Sequence, residues 1–410
     1  MNAYLLIIGL CIIIIFSFFC NVLAKRYNIP SVLILILLGV VIQQLLSYMD
    51  MELFGALEVL GIIGLIMIVL EAALDLELSW EKWPVIWKSF TIASLSLGLT
   101  TIVLSFVIKL FIPGIELLSA VVYAIPLSIM SSAIIIPSVV NLNKYKREFL
   151  IYESTFSDIL GIMVFYLIIE NLNTEGMRQL SFAIGGNILL TITVSIILSY
   201  ALLYIIQNIK GDVRFFLFLS ILILLYSVAK MFHLSSLIII LMFGLLLRNH
   251  NVLLFGKLKD LLLDDKIDVV FDQFKMITVE TSFLVRTFFF VVFGMTLPLV
   301  SLIKWEVWLI SFIFLVITYV LRFGLFYIVE KKDTMPQTFI APKGLITILL
   351  FFAIPDELKS DWFERGVIFL VIITTSIIMA LALITYSKRK NSGLSDDDAT
   401  PKKDSSKNMH

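Results

Sequence analysis

The chain has 410 residues, of which 60% are hydrophobic and only 15% charged, and its mean hydropathy is +1.04. A water-soluble domain of that length is excluded, because a water-facing surface needs more polar side chains than this sequence holds. Its 31 basic and 31 acidic residues cancel to a formal net charge of zero, so nothing points to a nucleic-acid partner.

Charges, prolines and glycines divide the sequence into about thirteen apolar runs, each near the roughly 20 residues that cross a bilayer. In chain order they cover 3–24, 30–49, 54–74, 86–112, 116–141, 148–171, 179–207, 213–231, 234–248, 284–303, 305–329, 336–354 and 362–386. The first lacks a basic leader and a small-residue cleavage site and reads as a retained helix. It holds both cysteines, Cys11 and Cys20, as packing residues. Between the ninth and tenth runs, 251–283 carries charges at helical spacing and reads as an amphipathic helix at the membrane surface. Residues 388–410 are polar and low in complexity, and a disordered cytoplasmic tail is expected there. The membrane domain is thus 1–387.

Lysines and arginines gather in alternate loops, from Lys25 and Arg26 through Lys144, Lys146 and Arg147 to Lys331 and Lys332, and again at Lys388, Arg389 and Lys390. The positive-inside rule makes those loops cytoplasmic, with the N-terminus outside and the C-terminus inside.

Two runs are broken by helix-disrupting residues. The fifth contains "AIPLSIMSSAIIIPSVV", where Pro126 and Pro137 bracket Ser131 and Ser132; the twelfth opens "QTFIAPKGLITILL", where Pro342 and Gly344 flank Lys343. A pair of interrupted helices in matching halves points to an inverted-repeat transporter with its site near the bilayer midplane.

The sixth run holds the chemistry. "YESTFSDILG", residues 152–161, places Glu153, Ser154, Ser157 and Asp158 within a hydrophobic helix. At about 100° per residue, Ser154 and Asp158 share one face, and Glu153 and Ser157 share the next. The first face offers hard oxygen ligands for an alkali cation. Desolvation disfavours a bare carboxylate, so such a group holds either a proton or a cation. That competition is the minimal physics of an antiporter.

Asp158, well inside its run, reads as functional, and Glu153 as one half of a structural ion pair. Ser154 taken alone could equally bond its own helix. The partner for Glu153 is Arg322, deep in the eleventh run, or Lys343 at the twelfth-run break; either could instead compensate the carbonyls of a half-helix end. Arg286 reads as an interfacial residue. Glu71, near the end of the third run and followed by Asp75 and Glu77, fits an interfacial acidic cluster as well as a place on the ion path. No Gly-rich phosphate loop occurs, so no cofactor is expected and no enzymatic activity.

These residues resemble the monovalent cation/proton antiporter superfamily, in its sodium/proton exchanger (NhaP-like) branch. "RYNIPSVLILILLGVVI", "IVLEAALDLEL", "SSLIIILMFGLLLRN" and "FFFVVFGMTLPL" are similar to the family's second, third, ninth and tenth helices, and "ESTFSD" to its Glu-Ser-x-x-Asn-Asp signature. The resemblance implies an all-α polytopic membrane protein of two inverted six-helix repeats with crossed, interrupted helices. It further implies a homodimer, with 1–84 and 172–303 forming the dimer part and 85–171 and 304–387 the core. It makes Asp158 the carrier of ion and proton, Ser154 a ligand and Glu153 the partner of Arg322. Beside it, Ser131, Ser157 and Glu71 read as further site residues, and Lys343 with Ser132 as compensating the helix break. Na⁺ is the expected substrate beside H⁺, with Li⁺ or K⁺ as alternatives. A cation channel, a transport-inactive sensor of the same fold and an organic-solute carrier are the rival readings. The sequence departs from the family in Ser157 for Asn, Ser131-Ser132-Ala133 for Thr-Asp-Pro, and Lys343 for Arg, so the core loses one negative charge.

Overall fold

The computed structural model describes residues 3–27, 31–46, 54–112, 114–170, 190–204, 214–231, 236–253, 264–295, 302–330, 334–359 and 365–391. Those residues are helical, joined by short turns and extended breaks. In chain order the helices are α1 (Ala3–Tyr27), α2 (Ser31–Leu46), α3 (Phe54–Asp75), α4 (Trp83–Phe111), α5 (Leu117–Ser128), α6 (Ser132–Ser138) and α7 (Lys144–Glu170). They continue with α8 (Leu190–Tyr204), α9 (Arg214–Met231), α10 (Ser236–Arg248), α11 (Asp264–Met295), α12 (Trp305–Val329), α13 (Leu345–Phe352) and α14 (Arg365–Asn391).

Hydrocarbon offers no partner for backbone polar groups, so a chain this apolar must satisfy them within helices. The outward faces agree with that solvent: Leu37, Phe106, Leu110, Val320 and Leu381 are exposed and would be costly in water. Trp80, Trp83 and Trp87 sit exposed at the start of α4, and Trp305 and Trp308 at the start of α12, the level where indoles prefer to lie in a bilayer.

The helices pack in two sets. α2 and α3 lie against α11, with α1 beside α2 and α10 between α3 and α9; α4 is enclosed by α5, α7 and α12, and α14 covers α12. The sets touch through α3 and α10 against α7 and through α11 against α13. The α2–α11 crossing is close because Gly39 and Gly294 meet there. A Cβ on either would strike the backbone of the other helix, at the Val291 and Ile36 carbonyls respectively. Small residues at a crossing substitute close packing for the hydrophobic drive that lipid removes.

One expectation needs correction. The stretch read as a surface helix, where described, and the tenth run form a single helix, α11, of 32 residues. No proline or glycine separates them before Gly294, so the backbone had no reason to stop. Arg286, near the start of the tenth run, therefore lies well inside this helix rather than at its beginning. It forms a two-pronged ion pair with Glu71 of α3, at 2.9 and 3.1 Å. The tail beyond 391, residues 296–301 of the tenth run, and 171–189, which hold the loop after the sixth run and the start of the seventh, lie outside the described residues.

Candidate functional site

α7 is the scaffold of the site. The Asn143 side chain caps its first turn, accepting the Lys146 amide at 2.8 Å. From there the helix runs without proline to Glu170. The buried face presents Glu153, Ser154, Ser157 and Asp158, each at most 3% exposed.

Opposite this face the fifth run breaks. α5 ends at Ser128, residues 129–131 are extended, and α6 begins at Ser132. The break leaves three successive amides without helical partners, and each finds another. Met130 N–H donates to Ser157 Oγ at 3.0 Å, and Ser132 N–H to Asp158 Oδ2 at 3.0 Å. Between them, Ser131 N–H donates to the Pro342 carbonyl at 2.9 Å. Pro342 belongs to the second break, where residues 340–344 form no helix before α13. The two interruptions therefore meet. Gly344 makes the approach feasible: a Cβ there would sit 2.6 Å from Ser131 Cβ.

Lys343 is 1% exposed, and its Nζ donates to the Ser128 carbonyl at 3.0 Å. A cation at the final carbonyls of α5 offsets the negative end of that helix. The Lys343 amide is held by Thr375 Oγ1 at 3.1 Å.

Glu153 meets Arg322 of α12 in a two-pronged pair, at 2.6 and 2.9 Å, with both side chains at most 1% exposed. Arg322 also donates twice to the Gln337 carbonyl, at 3.2 and 3.0 Å, and lies 4.9 Å above the Phe326 ring. Every guanidinium nitrogen is thus engaged, with Met130 Sδ a further acceptor at 3.0 Å. A buried pair of this kind is tolerated only when the remaining donors are satisfied as well.

Asp158 differs. It is 2% exposed, and its Oδ1 has no hydrogen-bond partner within the protein. Asp158 also lines a cavity of about 10 Å³, room for about one water-sized sphere, shared with Ile68 and Ala72 of α3, Leu237 and Leu241 of α10 and Ile346 of α13. It is the one ionisable residue in that lining. The cavity lies where the two helix sets meet. Among the described residues no cluster of three His, Cys, Asp or Glu side chains could hold a metal ion. What remains is a single carboxylate with one uncommitted oxygen, suited to a proton or a weakly held alkali cation.

The sequence, compared with family profiles, matches the one described as sodium/hydrogen exchanger, transmembrane, over residues 12–389. The chain belongs to the sodium/hydrogen exchanger family. It is therefore a multi-pass membrane transporter. Among solved structures, this exchanger is similar to the sodium proton antiporter MjNhaP1 from Methanocaldococcus jannaschii at pH 8. That likeness has a TM-score of 0.70 and 20% identity over 96% of this chain and 98% of the other. An electron-microscopy structure of the same antiporter gives a TM-score of 0.67 and 19% identity, covering 98% and 100% of the two chains. At such identity the likeness speaks for the fold. Comparison with curated proteins gave no match.

Of the residues singled out from the exchanger's sequence, Ser157, Asp158, Ser131, Ser132 and Lys343 meet around the breaks, and Glu153 meets Arg322. Ser154 lies one turn before Asp158, its hydroxyl donating to the Ile151 carbonyl at 3.2 Å. Glu71 is not in the cavity lining; both of its oxygens are taken by Arg286. Sequence reading missed the Gln337, Ser128 and Pro342 carbonyls, which carry no side-chain signal. It also missed Thr375, the middle one of three successive hydroxyl residues, Thr374, Thr375 and Ser376, in an apolar helix.

Proposed function

We propose that this family member exchanges one proton for one monovalent cation by letting both compete for Asp158. Na⁺ is the first candidate, and Li⁺ or K⁺ are alternatives. The observation that carries the reading is the uncommitted Asp158 Oδ1 beside a cavity, where every neighbouring ionisable group is already paired or hydrogen-bonded. A bare carboxylate there lacks compensation, so protonation and cation binding are its two resting states. Ser154 and Ser131 supply further oxygens, from the turn before Asp158 and from the adjacent break, and Ser157 holds the break in place. Glu153 and Arg322 form a structural pair. Lys343 and Ser132 compensate the interrupted helices. Glu71, held by Arg286, flanks the route without ligating the ion. One titrating acid in the binding face makes the exchange electroneutral, one for one.

In this reading the core is 85–171 with 304–387. It moves against a dimer-forming part, 1–84 with 172–303, and so opens the Asp158 cavity to each side in turn. The division is supported by the packing of α4–α7 with α12 and α14, apart from α2, α3, α10 and α11. The basic loops put the C-terminus in the cytoplasm, and the cellular role is pH homeostasis.

Reconstitution in vesicles with an internal pH dye tests this. Adding Na⁺, Li⁺, K⁺ and choline in turn gives dequenching with at least one alkali cation and none with choline, and Asp158→Asn abolishes it. Cation flux without obligatory proton movement means a channel. No flux with any cation means a protein that has kept the fold and lost transport.

A further inference from the structure

A second, larger cavity lies away from the Asp158 site, on the outer flank of the core. It has a volume of about 270 Å³ and runs between the C-terminal half of α14 and the segment that precedes the second break. Its walls are Met335, Pro336 and Phe339 on one side and Ile378, Leu381 and Ala382 on the other, all apolar. At one end it reaches Thr385, Tyr386 and Arg389. Leu381 is 59% and Met335 44% exposed, so the groove opens to the surroundings along its length.

The polarity of this groove is one-sided. The apolar stretch falls within the membrane span 366–389, and Arg389 is the last residue of that span, at the level of lipid headgroups. A second cation backs the same end: Lys146 Nζ lies 4.9 Å over the Tyr386 ring and donates to the Met335 carbonyl at 2.9 Å. An apolar trough ending in positive charge at headgroup depth matches a molecule with a hydrocarbon chain and an anionic head.

We propose that this groove is a binding site for one anionic phospholipid, its acyl chain along Leu381 and Ala382 and its phosphate at Arg389. Met335 and Pro336 form its wall, and Gln337, the next residue, holds Arg322 through its carbonyl. The same segment continues to Pro342 and Lys343 at the break. A lipid seated here therefore presses on the segment that positions the Glu153–Arg322 pair, so occupancy stiffens the core.

The test uses the purified full chain in detergent, titrated with phosphatidylglycerol or phosphatidylcholine while its thermal unfolding is followed. Phosphatidylglycerol raises the midpoint at lower concentration than phosphatidylcholine. Arg389→Gln weakens the phosphatidylglycerol response about fivefold, the factor for about 1 kcal/mol per basic residue at an anionic lipid surface, and leaves the phosphatidylcholine response unchanged. Ala382→Trp, which fills the trough, removes both. Equal responses to the two lipids in the unaltered chain overturn the proposal, as does full discrimination by Arg389→Gln. A chain ended after Asn391 that loses the response as completely as Ala382→Trp also overturns it, by placing the lipid contact in the tail.

Discussion

A carboxylate enclosed by apolar helices has to find hydrogen-bond donors, and Asp158 finds one in the Ser132 amide while its Oδ1 finds none. Beside it, Ser157 accepts the Met130 amide. The serine thus does structurally what any side-chain oxygen at that position could do for the break. Ser157→Ala leaves that amide buried without a partner, at a cost of about 1–3 kcal/mol, seen as a lower thermal unfolding midpoint. Ser157→Asn, which restores an acceptor, recovers it. Glu153 and Arg322 obey a different rule. Removing one partner strands the other charge in the core, and Glu153→Gln or Arg322→Met should each lose about 3–5 kcal/mol. The double variant should lose less than the sum, because neither charge is then left alone. A double-mutant cycle of unfolding midpoints reads this directly; additive losses would mean the two residues act independently.

At the scale of elements, the two interrupted helices depend on each other. The Ser131 amide is satisfied by Pro342, and Lys343 answers the end of α5. Gly344 allows the breaks to approach, and its φ of −150° needs no glycine for conformational reasons. Gly344→Ala should therefore impair function sterically, separating Ser131 from Pro342. The expected outcome is slower cation-dependent proton movement in vesicles with the protein still folded; unchanged exchange would show that the breaks do not need this contact. Both breaks were legible because proline and glycine inside apolar runs are conspicuous. α11 was misread for the converse reason. Its charged half and its apolar half differ in composition, yet a change of composition does not itself end a helix, and no proline or glycine lies between them. The Glu71–Arg286 pair was missed along with it. Acidic and basic residues 215 positions apart are related only by the packing of α3 on α11, which no local pattern records.

At the scale of the molecule, the sequence carries the membrane class, the run of helices and the ionisable residues, since each rests on composition or period. It does not carry which oxygen of Asp158 is committed, nor that backbone carbonyls of Ser128, Gln337 and Pro342 complete the network, because main-chain geometry has no alphabet. The cavity at Asp158 lies where the two helix sets meet, so relative motion of the sets would change its access. The proposed competition at one carboxylate would also set a pH dependence. Below the pH at which the site is half protonated, apparent cation affinity should fall about tenfold per pH unit, one proton being displaced per cation. Cation-binding isotherms across a pH series check that slope.

Proton release on cation binding tests the competition most directly. Purified protein in weakly buffered detergent solution is titrated with Na⁺ near the pH where the site is half protonated, with Li⁺ and K⁺ run in parallel, and the pH change is recorded. Shared occupancy of Asp158 predicts saturable release of up to one proton per chain, absent with choline and absent in Asp158→Asn. Release of the same size in Asp158→Asn, or cation binding with no release in the unaltered protein, would contradict it.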